Sequence, residues 1–244
     1  MRAGSSSTTI VRGAVCTAVF AAALVAGSAG ARADESVDLG GGKGVLIRPA
    51  GKPRASLILM PGGDGRVNVG AGGSFSGTLG NQLTRTRQAY VAAGFAVLLV
   101  DADADLAKAV ATMAAIKRPV TVVGTSRGTQ RAARGIAAGA RPDGLVLTSG
   151  FLSDASGDSD NVMNILGSPA ALPRTLVVHH RQDACKKTLP AGVEPFQKWA
   201  GSKARVVWLS GGVSDGNPCE ARAHHGFNGI DGQVVSAVSG FAGR

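Results

Sequence analysis

Between Val45 and Leu209 the chain repeats one pattern, a short run of Val, Ile and Leu bounded by turn residues and followed by a longer stretch with helical spacing. The apolar runs are Val45–Arg48, Ser56–Met60, Ala96–Val100, Val120–Val123, Leu145–Thr148, Thr175–Val178 and Arg205–Leu209. They show little polar alternation, as expected of strands covered on both faces. Helical stretches lie near Gln82–Ala93, Ala104–Ile116, Gly128–Ala138, Val193–Ala200 and Gly232–Ala242. Such alternation demands a mostly parallel central sheet with right-handed crossovers and helices on both faces, although the first run or two could pair antiparallel. A chain of 244 residues, 44% of them hydrophobic, suits one domain with one sizeable core.

The N-terminal segment falls outside this pattern. Arg2 and Arg12 precede or enter an apolar run from Ala14 to Ala26, and small residues end in Ala31-Arg32-Ala33. That order predicts a secretory signal over residues 1–33, cleaved before Asp34, with a single domain over 34–244 and a periplasmic or secreted destination. The run is too short for a spanning helix of about 20 apolar residues, so no stable membrane insertion is expected. Cys16 precedes most of the apolar run, which argues against a lipoprotein. Cleavage removes three Arg from 26 basic residues and none of the 16 acids, leaving a formal charge of +7. That charge implies solubility, a bias toward acidic substrates or loose attraction to anionic surfaces. No long Lys or Arg run occurs and aromatics are only 4%, so nucleic acid is not an expected partner. Cys185 and Cys219 remain, an even pair that reads as a disulfide in an oxidising compartment, against the alternative of two free thiols.

Val120–Val123 runs directly into Gly124-Thr125-Ser126-Arg127-Gly128, and a helical stretch follows at once. A serine on a sharp strand-to-helix turn exposes its hydroxyl, and glycines at 124 and 128 keep side chains off the neighbouring backbone. The helix start beyond it aims free N–H groups and a partial positive charge at a developing oxyanion. The alternative is an ordinary strand–helix turn whose glycines merely permit close packing. From about Leu57 to the C-terminus these residues resemble the α/β-hydrolase family, near its small, secreted, capless members of the dienelactone-hydrolase-like branch. The resemblance implies a three-layer α/β/α fold with seven or eight strands, Ser126 as nucleophile, and a later acid and histidine in that order.

Leu57–Met60 leads into Pro61-Gly62-Gly63-Asp64-Gly65, where the family places its second oxyanion donor. The N–H of Arg127 therefore pairs with that of Gly62 or Gly63, although the His-Gly-Gly-Gly form of many lipases is lacking. Gly40–Gly44 is not a phosphate loop, because no Ser or Thr follows Lys43. For the acid, Asp183 follows the run ending at Val178. Asp154, Asp158 and Asp160 follow the preceding run and compete. For the base, the loop after Arg205–Leu209 carries adjacent His224 and His225 before Gly226-Phe227. The resemblance favours His225, with His224 left open. If these loops meet, a Cys185–Cys219 bond would tie the acid loop to the base loop and limit the freedom of both.

Gly62–Gly80 is a long glycine- and serine-rich loop, and Ser149–Pro173 is too short for an inserted cap, so an open site is expected unless the glycine-rich loop folds over it. Arg127, with Arg85 and Arg87 as candidate substrate-binding residues, could attract an anionic group, or the two helix arginines could simply be solvated. The expected partner is a small-molecule acyl substrate, possibly anionic, with no metal or cofactor implied. The expected activity is cleavage of an ester or thioester. An exported peptidase and a non-catalytic binding protein on the same scaffold are the alternatives.

Overall fold

The computed structural model describes residues 1–5 and 33–244. The expected signal and Cys16 therefore lie almost wholly outside the described residues. Among the described residues no helix is long and apolar enough to cross a membrane.

Among the described residues eight strands form one sheet: β1 (Glu35–Asp38), β2 (Lys43–Ile47), β3 (Ala55–Met60), β4 (Phe95–Val100), β5 (Val120–Thr125), β6 (Gly144–Thr148), β7 (Arg174–His180) and β8 (Ala204–Leu209). Their spatial order is β1-β2-β4-β3-β5-β6-β7-β8. β1 and β2 pair antiparallel, as do β2 and β4, and all later pairs are parallel. The one strand absent from the apolar pattern, β1, is a short polar edge whose residues are mostly exposed. It had no buried face to write into the sequence.

Among the described residues six α-helices flank the sheet: α1 (Gln82–Ala92), α2 (Leu106–Ile116), α3 (Arg127–Ala137), α4 (Val162–Leu166), α5 (Val193–Ala200) and, after the last strand, α6 (Asp231–Ala242). Adjacent strand residues point to opposite faces. Ile58, Leu98, Val122 and Leu147 thus pack with Met113 of α2, Ile136 of α3 and Phe196 of α5. Their neighbours Leu57, Val97, Val123 and Val146 pack with Leu83 and Tyr90 of α1 and Val234 and Phe241 of α6. The result is the three-layer arrangement expected of the alternation. α2 begins later than the apolar pattern suggested, because the Asp105 carboxylate caps the Lys108 N–H and sets the start. The polar segment after β6 folds into short helical turns and α4 without adding a cap domain.

The long loop after β3 is pinned. Asp101, just past β4, accepts hydrogen bonds from the N–H groups of Val67, Asn68 and Val69 at 2.7, 3.0 and 3.3 Å. Arg87 lies over the Phe75 ring at 4.7 Å.

Candidate active site

At the carboxyl edge of β5 the chain turns through Ser126 with φ 51° and ψ −125°, and α3 begins at the next residue. A non-glycine residue at positive φ stores backbone strain of order 1–3 kcal/mol, which the surroundings must hold in place. They do so on both sides. The Ser126 N–H continues the ladder to β6 by donating to the Thr148 carbonyl at 3.0 Å, and the Thr129 hydroxyl donates to the Ser126 carbonyl at 2.7 Å. A Cβ at Gly128 would lie 2.0 Å from the Met60 carbonyl oxygen, so only glycine lets α3 start this close to β3.

Gly62 closes the turn from the other side. A Cβ there would lie 2.9 Å from the Ser126 Cβ and 3.1 Å from the Thr125 carbonyl oxygen. The N–H groups of Gly62 and Gly63 find no protein acceptor among the described residues, and neither does that of Arg127 in the first turn of α3. Arg131, one turn further along α3, holds this loop by donating to the carbonyl oxygens of Pro61 and Gly63. Burial lowers the pKa of its guanidinium.

Asp183 sits in the turn after β7 and is buried. Its Oδ1 accepts from the Cys185 N–H at 2.9 Å, and its Oδ2 from the Thr188 hydroxyl at 3.1 Å and from His225 Nδ1 at 2.9 Å. The Thr188 oxygen also lies 3.0 Å from His225 Nδ1. Its single proton goes to the carboxylate, so it receives the imidazole N–H as a second, shared acceptor. With Nδ1 protonated toward a buried carboxylate, the neutral ring leaves Nε2 unprotonated, the state a general base requires.

His224 turns the other way and stacks on His180 at 4.3 Å between centroids and 11° between planes. The adjacent histidines, inseparable in sequence, thus take different partners. The competing acids are engaged elsewhere: Asp154 with Asn161 and Asn164, Asp160 with Arg134 and Gln130. The Asp160 N–H and the Lys187 ammonium hold Asp158 below the usual carboxylate range.

His179 is a second histidine near Asp183, fully buried, with Nε2 2.9 Å from the Thr188 carbonyl and 3.6 Å from Asp183 Oδ2. Burial pushes its pKa down to about 4. It is therefore neutral near pH 7, donates from Nε2 to Thr188, and leaves the Asp183 charge to His225.

Three groups fix the loop that carries His225. Ser149 donates to the His225 carbonyl at 2.7 Å, Arg85 donates to the Gly226 carbonyl at 2.6 Å, and Cys219 is bonded to Cys185 with Cα atoms 4.6 Å apart. Arg85 also grips Asp231 with two hydrogen bonds of 2.7 and 2.8 Å. Of the two arginines expected at a substrate, Arg85 is engaged by Asp231 and the Gly226 carbonyl, and Arg87 by the Phe75 ring and the Thr84 carbonyl. Arg127 is exposed and forms no ion pair among the described residues.

Ser126 and His225 line one cleft of about 50 Å³ with Gly62, Gly63, Asn81, Gln82, Cys219, Glu220, Ala221 and Gly226. No hydrogen bond joins the two side chains, as is common for catalytic pairs before substrate binds. A strained serine, three free N–H groups and a carboxylate-oriented imidazole around one cleft can support nucleophilic acyl transfer. Among the described residues no group of three or more His, Cys, Asp or Glu could hold a metal ion.

No protein-family model and no curated protein matches this chain. Solved structures do. The esterase domain of a Rhodothermus marinus protein is 14% identical, with a TM-score of 0.60 over 86% of this chain and 97% of that one. An esterase of Pyrococcus furiosus is 13% identical, with a TM-score of 0.62 over 87% and 91%. A Xanthomonas campestris α/β serine hydrolase without a lid is 15% identical, with a TM-score of 0.56 over 86% and 94%. At these identities the likeness establishes the α/β-hydrolase fold.

Proposed function

We propose that the chain is an exported serine hydrolase cleaving carboxylic esters or thioesters through an acyl-enzyme, with Ser126 as nucleophile, His225 as general base and Asp183 as its acid partner. The observation that carries this reading is the His225–Asp183 hydrogen bond, buried beside the cleft that the strained Ser126 also lines. The esterases among its structural neighbours support the same reaction class. The Cys185–Cys219 bond and the N-terminal sequence support export.

In the first half-reaction the Ser126 Oγ attacks the acyl carbon while its proton passes to His225 Nε2. The carbonyl electron pair moves onto oxygen, where the N–H groups of Arg127 and of Gly62 or Gly63, with the α3 dipole, stabilise the charge. The imidazolium formed beside Asp183 then gives its proton to the departing alcohol or thiol, and the acyl group stays on Ser126. In the second half-reaction water loses a proton to His225 and attacks the ester. Ser126 leaves with that proton, releasing the acid. The bonds to Thr148 and Thr129 keep the Ser126 turn, and with it the hydroxyl, in place throughout.

The test is turnover of p-nitrophenyl acetate by the mature protein. Ser126→Ala and His225→Gln each reduce kcat by at least about 10⁴-fold, and His224→Gln retains most activity. Loss through His224→Gln with activity kept in His225→Gln would reassign the base.

A further inference from the structure

We propose that Asn81 donates a side-chain N–H to the reacting acyl group, beside the backbone donors of the oxyanion hole. The proposal rests on the serine-hydrolase reading and adds a residue to its machinery. Asn81 is the N-cap of α1, and its Oδ1 accepts from the Leu83 N–H at 3.1 Å. An N–H can donate only to oxygen, so this bond fixes which end of the amide is which. Nδ2 must therefore point away from the helix.

On that side lies Gly62. The position a Cβ would take on Gly62 is 2.9 Å from the Ser126 Cβ and 3.4 Å from Asn81 Nδ2. The nucleophile's side chain and the amide nitrogen thus flank the same small volume. Both residues also line the cleft that holds His225. Nδ2 has no acceptor among the described residues. Its two N–H groups border the space where the acyl oxygen of a substrate on Ser126 would develop charge.

Helix capping alone does not call for this residue. Asp and Ser cap as well as Asn, because only an acceptor oxygen is needed. The amide nitrogen is the feature that capping leaves unexplained. It is neutral and very weakly acidic, so it donates to an oxyanion without giving up its proton.

The experiment compares wild type, Asn81→Ser and Asn81→Asp in p-nitrophenyl acetate turnover, thermal melting and labelling by a fluorophosphonate. Both variants keep a cap acceptor and lose the amide N–H groups, Ser leaving only a shorter hydroxyl whose oxygen serves the cap. Removal of one oxyanion donor lowers kcat by about 10²- to 10³-fold with KM little changed, and Asp is the worse of the two because its charge repels the oxyanion. Melting stays within a few degrees of wild type. Both variants turning over within about threefold of wild type would overturn the proposal, as would a rise in KM at constant kcat. A loss of kcat accompanied by loss of the folded signal in both variants would make Asn81 a structural cap only, and also overturn it. A wild type that neither turns over nor labels would instead sink the serine-hydrolase reading, and this proposal with it.

Discussion

Removing the Cys185–Cys219 bond by Cys185→Ala with Cys219→Ser tests whether the acid and base loops depend on their covalent tie. The cysteines are 34 residues apart. Opening a loop of that length returns about 12–13 cal/mol/K to the unfolded chain, or about 3.8 kcal/mol at 25 °C. For a domain of this size each kcal/mol moves the melting point by about 2–4 °C, so the variant should melt about 8–15 °C below the oxidised protein. Cys185 is buried next to the Asp183 carboxylate, whose Oδ1 accepts its N–H, whereas Cys219 is exposed on the loop of His225. Loosening that loop lowers kcat while leaving KM in place, since the affected contact is between Asp183 and His225. Thermal melts with and without dithiothreitol measure the effect, the double variant serving as the control that reductant should not move. A melting difference equivalent to less than about 1 kcal/mol would refute the reasoning. It would mean that Ser149 and Arg85 already hold the base loop alone.

Other outcomes follow from single contacts. Gly128→Ala places a Cβ 2.0 Å from the Met60 carbonyl, so it destabilises by about 1–3 kcal/mol or more and abolishes turnover by displacing Ser126, measured by urea unfolding and by ester hydrolysis. His179 has its pKa lowered by burial from 6.5 to about 4, so the unfolded chain takes up its proton first as pH falls. That group's contribution is intact above pH 6.5 and is lost progressively from 6.5 down to about 4, by about 3 kcal/mol in all. His179→Gln should flatten this part of the stability profile, and an unchanged profile would refute the assignment. Arg85→Met removes the donor to Gly226 and the partner of Asp231, and it should lower kcat more than it raises KM. A pure rise in KM would return Arg85 to the substrate-binding role expected from sequence.

Much of the fold was legible because a parallel sheet covered on both faces must be built from uninterrupted apolar runs, and β3 to β8 all are. β1 escaped notice because a polar edge strand gains its place from hydrogen bonds to β2, which leave no residue pattern. Ser126 stood out because a strand, two glycines and a helix start constrain one pentapeptide jointly. Asp183 and the histidine pair were located only by their position after strands. The choice between His224 and His225 needed the backbone turn, since one residue of rotation sends one ring to Asp183 and the other to His180. Thr188, Ser149 and Arg131 had no readable signal, because a lone hydroxyl or a helix arginine looks the same in solvent as at a carbonyl. The Arg85–Asp231 pair was illegible for the same reason, its members being 146 residues apart.

Ser126 as nucleophile is tested most directly by intact-mass analysis and peptide mapping of the purified protein after reaction with a fluorophosphonate. One adduct per chain is expected, carried by Ser126 and absent from Ser126→Ala. Equal labelling of both proteins, or an adduct on any other residue, would contradict it.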